Sequence, residues 1–323
     1  MKKRLLAALG SLVLSSSFIL AGCTSNAERY GEPVIFTTGT TTGVFYSLGA
    51  NLSTIWTKEL GDRVASQASN GSVENLKLMQ KGEANLAFTT VNIAYEAYNG
   101  EATFSEKPYN GVRILANLYP NVSHIIALDN GKFNNVEDLE GASFVYGAAG
   151  SATEIESHLV VKAHGIDEST IKANYVGFTE AVDLMRNGQV DAVNIYTGVP
   201  ASAATELIST LDSKVLSFSE EAIDYMVDNY PWNFKYVIEP NTYDKQTKAI
   251  NTVGQYSSIV IDESVSEEKA YELTKELWEN LNELAKVQSI AKQFDPKKAV
   301  EGTADVPIHP GAERYYREIG VLE

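Results

Sequence analysis

The residues best suited to chemistry lie in five short turns that are rich in glycine and in hydroxyl side chains. The turns cover residues 39–43, 70–72, 89–92, 147–153 and 197–200, and each follows a predicted strand. In open α/β sheets, ligands bind at this carboxyl edge of the strands. Helix N-termini there present free N–H groups, hydroxyl groups add donors, and small residues admit a ligand. The turns together therefore predict a site for a small anion.

Each turn taken alone also has a structural explanation, because Ser, Thr and Gly are common N-caps. Ser72, for example, is the predicted N-cap of the second helix. Five such turns spread along the chain favour ligand binding over capping alone. Tyr46 stays open between two roles, since it can close over a ligand or pack between helix and sheet.

The elements that must position these turns alternate between strand and helix. Strands are predicted at 34–38, 64–68, 86–89, 114–119, 124–128, 143–146 and 190–196, and helices at 43–60, from 72 onward, 152–164 and 179–187. Leu273, Leu277, Leu281 and Leu284 mark one face of a long C-terminal helix. The βαβαβ order of the first elements predicts a parallel sheet with covering helices, and the whole chain is typical of two α/β lobes.

The sequence carries no familiar enzyme signature. It lacks a Walker-type phosphate loop, a G-x-S-x-G elbow and an H-E-x-x-H zinc motif. The histidines are His124, His158, His164 and His309. Their spacing does not suit metal ligation. Arg63, Arg113 and Arg186 lie outside the five turns, so surface ion pairs are favoured for them over ligand binding. We therefore predict no catalytic residue, no metal site and no cofactor.

The charge of the chain excludes one class of partner. Its 323 residues carry 26 Lys and Arg against 42 Asp and Glu, a formal charge of −16. Nucleic-acid binding needs clustered basic charge, so we expect no nucleic-acid partner.

The length of the chain suggests roughly two domains.

The first residues have the pattern of a secretory signal. Basic residues at 2–4 precede an apolar stretch at 5–20, which ends in L-A-G-C at the single cysteine, Cys23. The apolar stretch is shorter than the roughly 20 residues that a membrane span needs. Its ending resembles the bacterial lipobox, so we expect a signal peptide at 1–22, a lipid anchor on Cys23 and a tether at 23–30. Cleavage would leave 23 basic against 42 acidic residues, a charge of −19.

Six stretches of the chain resemble motifs of one protein family. They are T-G-T-T-T-G-V-F-Y at 38–46, G-S-V-E-N-L at 71–76, I-A-Y-E-A-Y-N-G at 93–100, G-A-A-G-S-A-T-E at 147–154, G-V-P at 198–200 and H-P-G-A-E-R-Y-Y at 309–316. In order and wording they resemble the TAXI proteins, the TRAP-associated extracytoplasmic immunogenic solute receptors. The likeness covers nearly the whole chain after Cys23.

The resemblance implies a two-lobed α/β fold of the periplasmic-binding-protein type II class, with a ligand cleft between the lobes. It implies capture of a small carboxylate or amino acid, such as glutamate, and delivery to the membrane subunits of a TRAP permease. We expect lobe 1 at 31–118 plus 250–323, lobe 2 at 119–249, and crossings near 117–123 and 251–257. The binding residues carried over are Thr40, Thr42, Tyr46, Ser72, Thr90, Asn92, Ser151, Thr153 and Thr197.

The chain departs from the family pattern in the expected site. Thr90-Val91-Asn92 stands where Gln-Ser/Asn-Asp is common, Ala149 and Ala152 replace Pro and Gly, and Ser47 replaces Pro. These changes leave the ligand's identity open. Two other functions stay open as well, namely a lipid-anchored receptor that serves a sensor or another transporter type, and an exported enzyme on the same fold.

Overall fold

The computed structural model describes residues 33–41 and 43–323. The predicted signal peptide, Cys23, the tether and Thr42 lie outside the described residues. The strands are β1 (Val34–Thr37), β2 (Val64–Gln67), β3 (Leu86–Thr90), β4 (Val112–Leu128), β5 (Ser143–Val145), β6 (Lys172–Asn174), β7 (Ala192–Thr197), β8 (Ser213–Val215), β9 (Phe234–Ile238) and β10 (Ile250–Asp262). The α-helices are α1 (Val44–Leu60), α2 (Ser72–Gln80), α3 (Val91–Asn99), α4 (Ala152–Ala163), α5 (Phe178–Arg186), α6 (Ser202–Thr210), α7 (Glu220–Asn229), α8 (Glu267–Glu279), α9 (Leu281–Val287) and α10 (Pro310–Glu318).

The strands form a single sheet in the order β2-β1-β3-β10-β4-β7-β5-β6, with β8 paired to β4 and β9 to β10. The parallel arrangement predicted for the first elements is confirmed, since β1 is parallel to both β2 and β3. Strand β5 is also parallel to β6 and β7, whereas β4 and β10 run antiparallel to their neighbours. The sheet is therefore mixed, with two parallel ends joined by a long antiparallel pair.

The strands predicted at 114–119 and 124–128 form one continuous strand, β4. Pro120 lies within it, opposite Tyr256 of β10 and next to an irregularity in the β4–β10 register at Ser257 and Ser258. A proline fits a strand where the ladder is interrupted, because its missing N–H is not needed there. One end of β4 pairs with β10 and the other with β7 and β8, so β4 reaches both ends of the sheet.

Helix α1 shows how an apolar periodicity packs on the sheet. Leu48, Leu52 and Trp56 recur every four residues and are fully buried. Each such side chain contributes roughly 2 kcal/mol through burial. The Trp56 indole N–H also donates to the Leu273 carbonyl at 2.9 Å, which ties α1 to α8. Gly61, with a φ of 71°, ends α1 in the left-handed conformation that glycine adopts readily.

The predicted long C-terminal helix is divided into α8 and α9 at Asn280. The Asn280 side-chain amide donates to the Glu276 carbonyl at 3.0 Å, and such a local bond competes with helix continuation. Leu273, Leu277 and Leu284 are nevertheless buried in one core, as their spacing predicts.

Four apolar clusters cover the two faces of the sheet at both of its ends. Helices α1, α8 and α10 supply one cluster at the β1–β3 end, and α2 and α3 supply the other. At the β5–β7 end, α4 and α7 cover one face and α5 and α6 the opposite face. Within residues 33–41 and 43–323, no helix is both long enough and apolar enough to cross a bilayer.

Candidate functional site

Turns from both ends of the sheet meet at one cavity of about 60 Å³, here called the turn cavity. It is lined by Gly39, Thr40, Gly43, Val44, Phe45, Asn70, Gly71, Ser72, Asn121, Ala148, Ser151, Ala152, Thr153, Gly177, Phe178, Tyr196 and Thr197. Four of the five turns singled out by the sequence contribute residues to this lining. The exception is the turn after β3.

Five of the nine carried-over residues line the turn cavity, and they come from both ends of the sheet. They are Thr40, Ser72, Ser151, Thr153 and Thr197. Thr42 lies outside the described residues. Their roles as ligand contacts stay predictions.

Thr90, Asn92 and Tyr46 do not line the turn cavity. The Thr90 hydroxyl donates to Asn92 Oδ1 at 2.6 Å, and the Asn92 backbone N–H donates to Gln255 Oε1 at 3.2 Å. Both residues are buried where β3 passes directly into α3, so they stabilise that junction. Tyr46 is half-buried on α1, and its neighbour Phe45 lines the cavity instead.

Close approaches show that the cavity lies between the two ends of the sheet. A Cβ atom added to Gly71 would lie 3.6 Å from Ser151 Cβ, and one added to Gly177 would lie 3.6 Å from Thr40 Cγ2. Gly71 and Thr40 follow strands of the β1–β3 end, whereas Ser151 and Gly177 follow strands of the β5–β7 end. The cavity is therefore enclosed by contacts across the sheet's two ends.

The N-terminal ends of four helices line the turn cavity. The N-cap residues are Gly43 of α1, Gly71 of α2, Ser151 of α4 and Gly177 of α5. The three glycines offer no side-chain capping bond. Each helix N-terminus carries about half a positive charge and unpaired N–H groups, so four of them create a strongly anion-favouring site.

Ser72 is not the N-cap that the sequence predicts. The cap is Gly71, with φ 119° and ψ −154°, a conformation that is essentially limited to glycine. Helix α2 begins at Ser72, whose hydroxyl is buried and has no hydrogen-bond partner among the described residues. A buried hydroxyl without a partner is costly, so Ser72 is well placed to donate to a ligand.

Ser151 is the true N-cap of α4. Its hydroxyl oxygen accepts the Glu154 N–H at 3.1 Å, while Glu154 Oε2 accepts the Gly150 N–H at 2.6 Å. These two bonds fix the turn, and the Ser151 hydroxyl hydrogen stays available as a donor. Gly147 lets the turn close, because a Cβ there would lie 2.5 Å from Thr153 Cβ.

Among residues 33–41 and 43–323, none that lines the turn cavity carries a charged side chain. Arg113 pairs with Glu263, and Arg186 pairs with Asp183 and Glu206, so both form the predicted surface ion pairs. Arg63 is exposed and does not line the cavity. The electrostatic preference of the cavity therefore comes from backbone dipoles and hydroxyl groups.

His124 and His309 form structural hydrogen bonds away from the turn cavity. His124 is fully buried, with Nδ1 2.8 Å from the Ile195 carbonyl and Nε2 2.8 Å from the Tyr243 hydroxyl, and burial lowers its pKa to about 4. His309 caps α10 by accepting the Gly311 N–H at 3.2 Å. In the part of the chain that the structure describes, no group of three His, Cys, Asp or Glu residues suits a metal ion.

Sequence reasoning missed several residues that line the cavity. Asn121 lies in the middle of β4 and Tyr196 within β7, and neither position carries a turn signal. Burial raises the pKa of the Tyr196 hydroxyl well above its usual range, so it stays protonated as a donor. Phe178 follows Gly177 at the start of α5, and the Val-Gly-Phe-Thr run there was a signal that could have been recognised.

This architecture is the mixed α/β fold of the type II periplasmic solute-binding proteins. Among solved structures, MatC from Rhodopseudomonas palustris with bound malate is similar at 12% identity and a TM-score of 0.60, over 91% of this chain and 100% of that one. A protein from Bordetella bronchiseptica RB50 is similar at 14% identity and a TM-score of 0.54, over 90% and 89% of the two chains. A profile of the NMT1-like family matches residues 36–320, so the chain belongs to the NMT1-like family.

Proposed function

We propose that this protein is an extracytoplasmic solute-binding receptor for a small carboxylate or amino acid, glutamate-like in charge. The observation that carries the proposal is the turn cavity itself. Four helix N-termini and several hydroxyl groups converge there, and no charged side chain of the described residues lines it. Such donors replace the hydration shell of a carboxylate and offset its charge.

Two further observations support a carboxylate. MatC, with the same fold, is described with bound malate, which is a dicarboxylate. The net charge of −16 gives the chain no overall attraction for anions, so binding would depend on the local amide and hydroxyl groups. The positions of these amide and hydroxyl donors, rather than a positively charged side chain, would therefore determine which anion binds.

We propose that capture proceeds by closure of two lobes, 31–118 plus 250–323 and 119–249. The cavity volume of about 60 Å³ is small, so loading and release require the lobes to separate. The proposed crossings at 117–123 and 251–257 lie within β4 and β10, which pair with each other across this region. Bending of these two strands would open the cavity, as in other hinge transitions.

The finer identity that we propose is a TAXI receptor that delivers its ligand to a TRAP permease. The family motifs at 38–46 and 147–154 supply residues of the turn cavity.

The proposed lipid anchor is Cys23, which would hold the receptor at the membrane surface near its permease. Mass spectrometry of the mature N-terminus tests the anchor, since a Cys23→Ser variant should lose the acyl mass. Ligand uptake by permease-containing vesicles should require the receptor.

A thermal-shift screen of amino acids and small mono- and dicarboxylates tests the binding function. A tight ligand should raise the melting temperature by mass action, and mass spectrometry should recover it chemically unchanged. Thr197→Ala should reduce the shift, whereas Thr54→Ala, on the exposed face of α1, should not. Absence of a shift with every carboxylate would contradict the proposal.

A further inference from the structure

A second cavity, of about 630 Å³, lies beside α3 and α4 and extends to Tyr230 and Trp232. We call it the acidic cavity. Its inner end includes Asn92, Glu96 and Glu156, which are buried, whereas its outer part is exposed. Among the described residues it shares no lining residue with the turn cavity, although the Glu156 carboxylate acts electrostatically on Tyr196 of that cavity.

Two buried carboxylates at the inner end each have one oxygen without a hydrogen-bond partner among the described residues. Glu96 is 8% exposed and Glu156 is 1% exposed, and Oε2 of each makes no hydrogen bond among the described residues. Glu156 Oε1 accepts the Ser123 hydroxyl at 3.3 Å, and the neighbouring Gln255 Nε2 is also unpaired. Burial raises the pKa of both carboxyls to about 7. Buried polar atoms without partners point to a bound molecule.

The basic residues that line the acidic cavity do not neutralise these carboxylates. Lys162 Nζ donates to the Tyr230 hydroxyl at 3.3 Å, and His158 pairs with Glu168. Neither forms an ion pair with Glu96 or Glu156 in the described part of the chain. The inner end therefore offers negative charge to a cation that comes from solution.

Aromatic and aliphatic side chains form the rest of the wall. The Trp232 ring lies 5.2 Å from the Tyr95 ring and 5.7 Å from the Tyr230 ring, so both neighbours hold it in place. Ile155 and Leu159 of α4 also line the cavity. A wall of this kind accommodates an alkyl chain and attracts a cation over the indole face.

We propose that the acidic cavity binds a primary ammonium ion that carries a short apolar chain. Its N–H groups are donors for the unpartnered oxygens that Glu96 and Glu156 contribute to the cavity lining, and its positive charge offsets their negative charge. The chain packs against Trp232 and Leu159. A metal ion fits less well, because no group of three His, Cys, Asp or Glu residues in residues 33–41 and 43–323 suits one.

Calorimetric titration with n-butylammonium tests the site at about pH 8, where both carboxyls are ionised. We expect saturable binding that falls at least ~10-fold in Glu96→Gln and in Glu156→Gln, since each removes a charged acceptor. Glu83→Gln, at an exposed site, is the matched control and should bind as the wild type does. Tetramethylammonium, which has no N–H donor, should bind much more weakly.

Trp232→Leu provides a second variant that leaves the buried carboxylates in place. It should weaken n-butylammonium binding and remove the change in tryptophan fluorescence that accompanies it. Circular dichroism establishes that each variant is folded. The proposal is overturned if n-butylammonium gives no saturable heat, if its affinity is equal in all variants, or if Ca²⁺ alone binds in a Glu156-dependent manner. Thr197→Ala should leave this binding intact, which separates it from the turn cavity.

Discussion

The turn cavity and the acidic cavity both use helix α4, yet their chemistry is opposite. The turn cavity takes the N-terminal end of α4, where Ser151 and Thr153 lie beside free N–H groups. The acidic cavity takes its middle and far end, where Glu156 projects into the protein. In the part of the chain that the structure describes, the turn cavity has no charged lining residue, whereas the acidic cavity has two buried carboxylates.

Helix α4 therefore favours an anion at its N-terminal end and a cation near its middle. The dipole and unpaired N–H groups act only within about the first turn of a helix. Beyond that turn, the side chains alone decide the electrostatic preference. The charge of a ligand is therefore predicted better from the local donors and acceptors than from the net charge of the chain.

The largest expected effect comes from a carboxylate introduced into the turn cavity. Ser72→Asp places a negative charge at the first residue of α2, where the helix dipole stabilises it. A bound carboxylate roughly 4 Å away would be repelled by about 4 kcal/mol at an effective dielectric constant near 20. We expect anion binding in a thermal-shift or calorimetric assay to fall about 1,000-fold.

The control for this charge is Ser202→Asp, at the first residue of α6. Ser202 is exposed and does not line the turn cavity. It should leave anion affinity unchanged. Equal losses in the two variants would show that overall charge, rather than the turn cavity, governs binding.

The pH dependence of stability tests whether Glu156 in the acidic cavity is buried and holds its proton near neutral pH. Burial raises the pKa of Glu156 from 4.5 to about 7. Between these values the unfolded chain loses its proton while the folded chain keeps it, so stability falls as the pH rises. The full penalty, about 3 kcal/mol, is reached above about pH 7 and is absent below about pH 4.5.

Glu156→Gln should remove this penalty. Urea denaturation at about pH 5 and about pH 8 should show the variant gaining about 3 kcal/mol over the wild type on going to the higher pH. Glu83→Gln, at an exposed position, should show no such gain. A stability difference between Glu156→Gln and wild type that is the same at both pH values would contradict a buried, proton-holding Glu156.

Local patterns in the sequence were sufficient for most of the elements. The helix predicted at 43–60 is α1, whose buried face carries Leu48, Leu52 and Trp56, and four of the five turns line one cavity. The mixed sheet was not predictable in this way. Strand direction in β4 and β10 depends on partners more than a hundred residues apart, such as Val112 and Asp262.

The same limit explains which site residues were missed. Glu96 and Glu156 lie 60 positions apart, and no local spacing distinguishes them from the many exposed carboxylates. Asn121 and Tyr196 reach the turn cavity from within strands rather than from turns. Turn chemistry is local and can be recognised from sequence, whereas burial and convergence depend on the folded chain.

A smaller effect separates capping from ligand binding in the turn cavity. Ser151→Ala removes the acceptor for the Glu154 N–H, which should cost about 1 kcal/mol of unfolding free energy. It should also weaken ligand binding by about 1–3 kcal/mol if the ligand loses a buried hydrogen bond. Ser266→Ala removes the equivalent cap of α8, where the hydroxyl accepts the Lys269 N–H at 3.2 Å. Ser266→Ala should lose similar stability and no ligand affinity. If both variants lost affinity, the loss would come from helix capping, and Ser151 would not be a ligand contact.

The smallest effect is expected for Arg186→Ala. Arg186 is exposed and pairs with Asp183 at 2.9 Å and Glu206 at 2.5 Å, and exposed pairs of this kind contribute roughly 0–1 kcal/mol. Denaturation should therefore show a loss below about 1 kcal/mol, smaller still in high salt. Anion affinity measured by calorimetry should stay within the error of the wild type, because the helix N-termini act over a much shorter range. A several-fold fall in affinity that disappears in high salt would mean that distant basic side chains attract the ligand, and the contrast between the two cavities would then rest partly on surface charge.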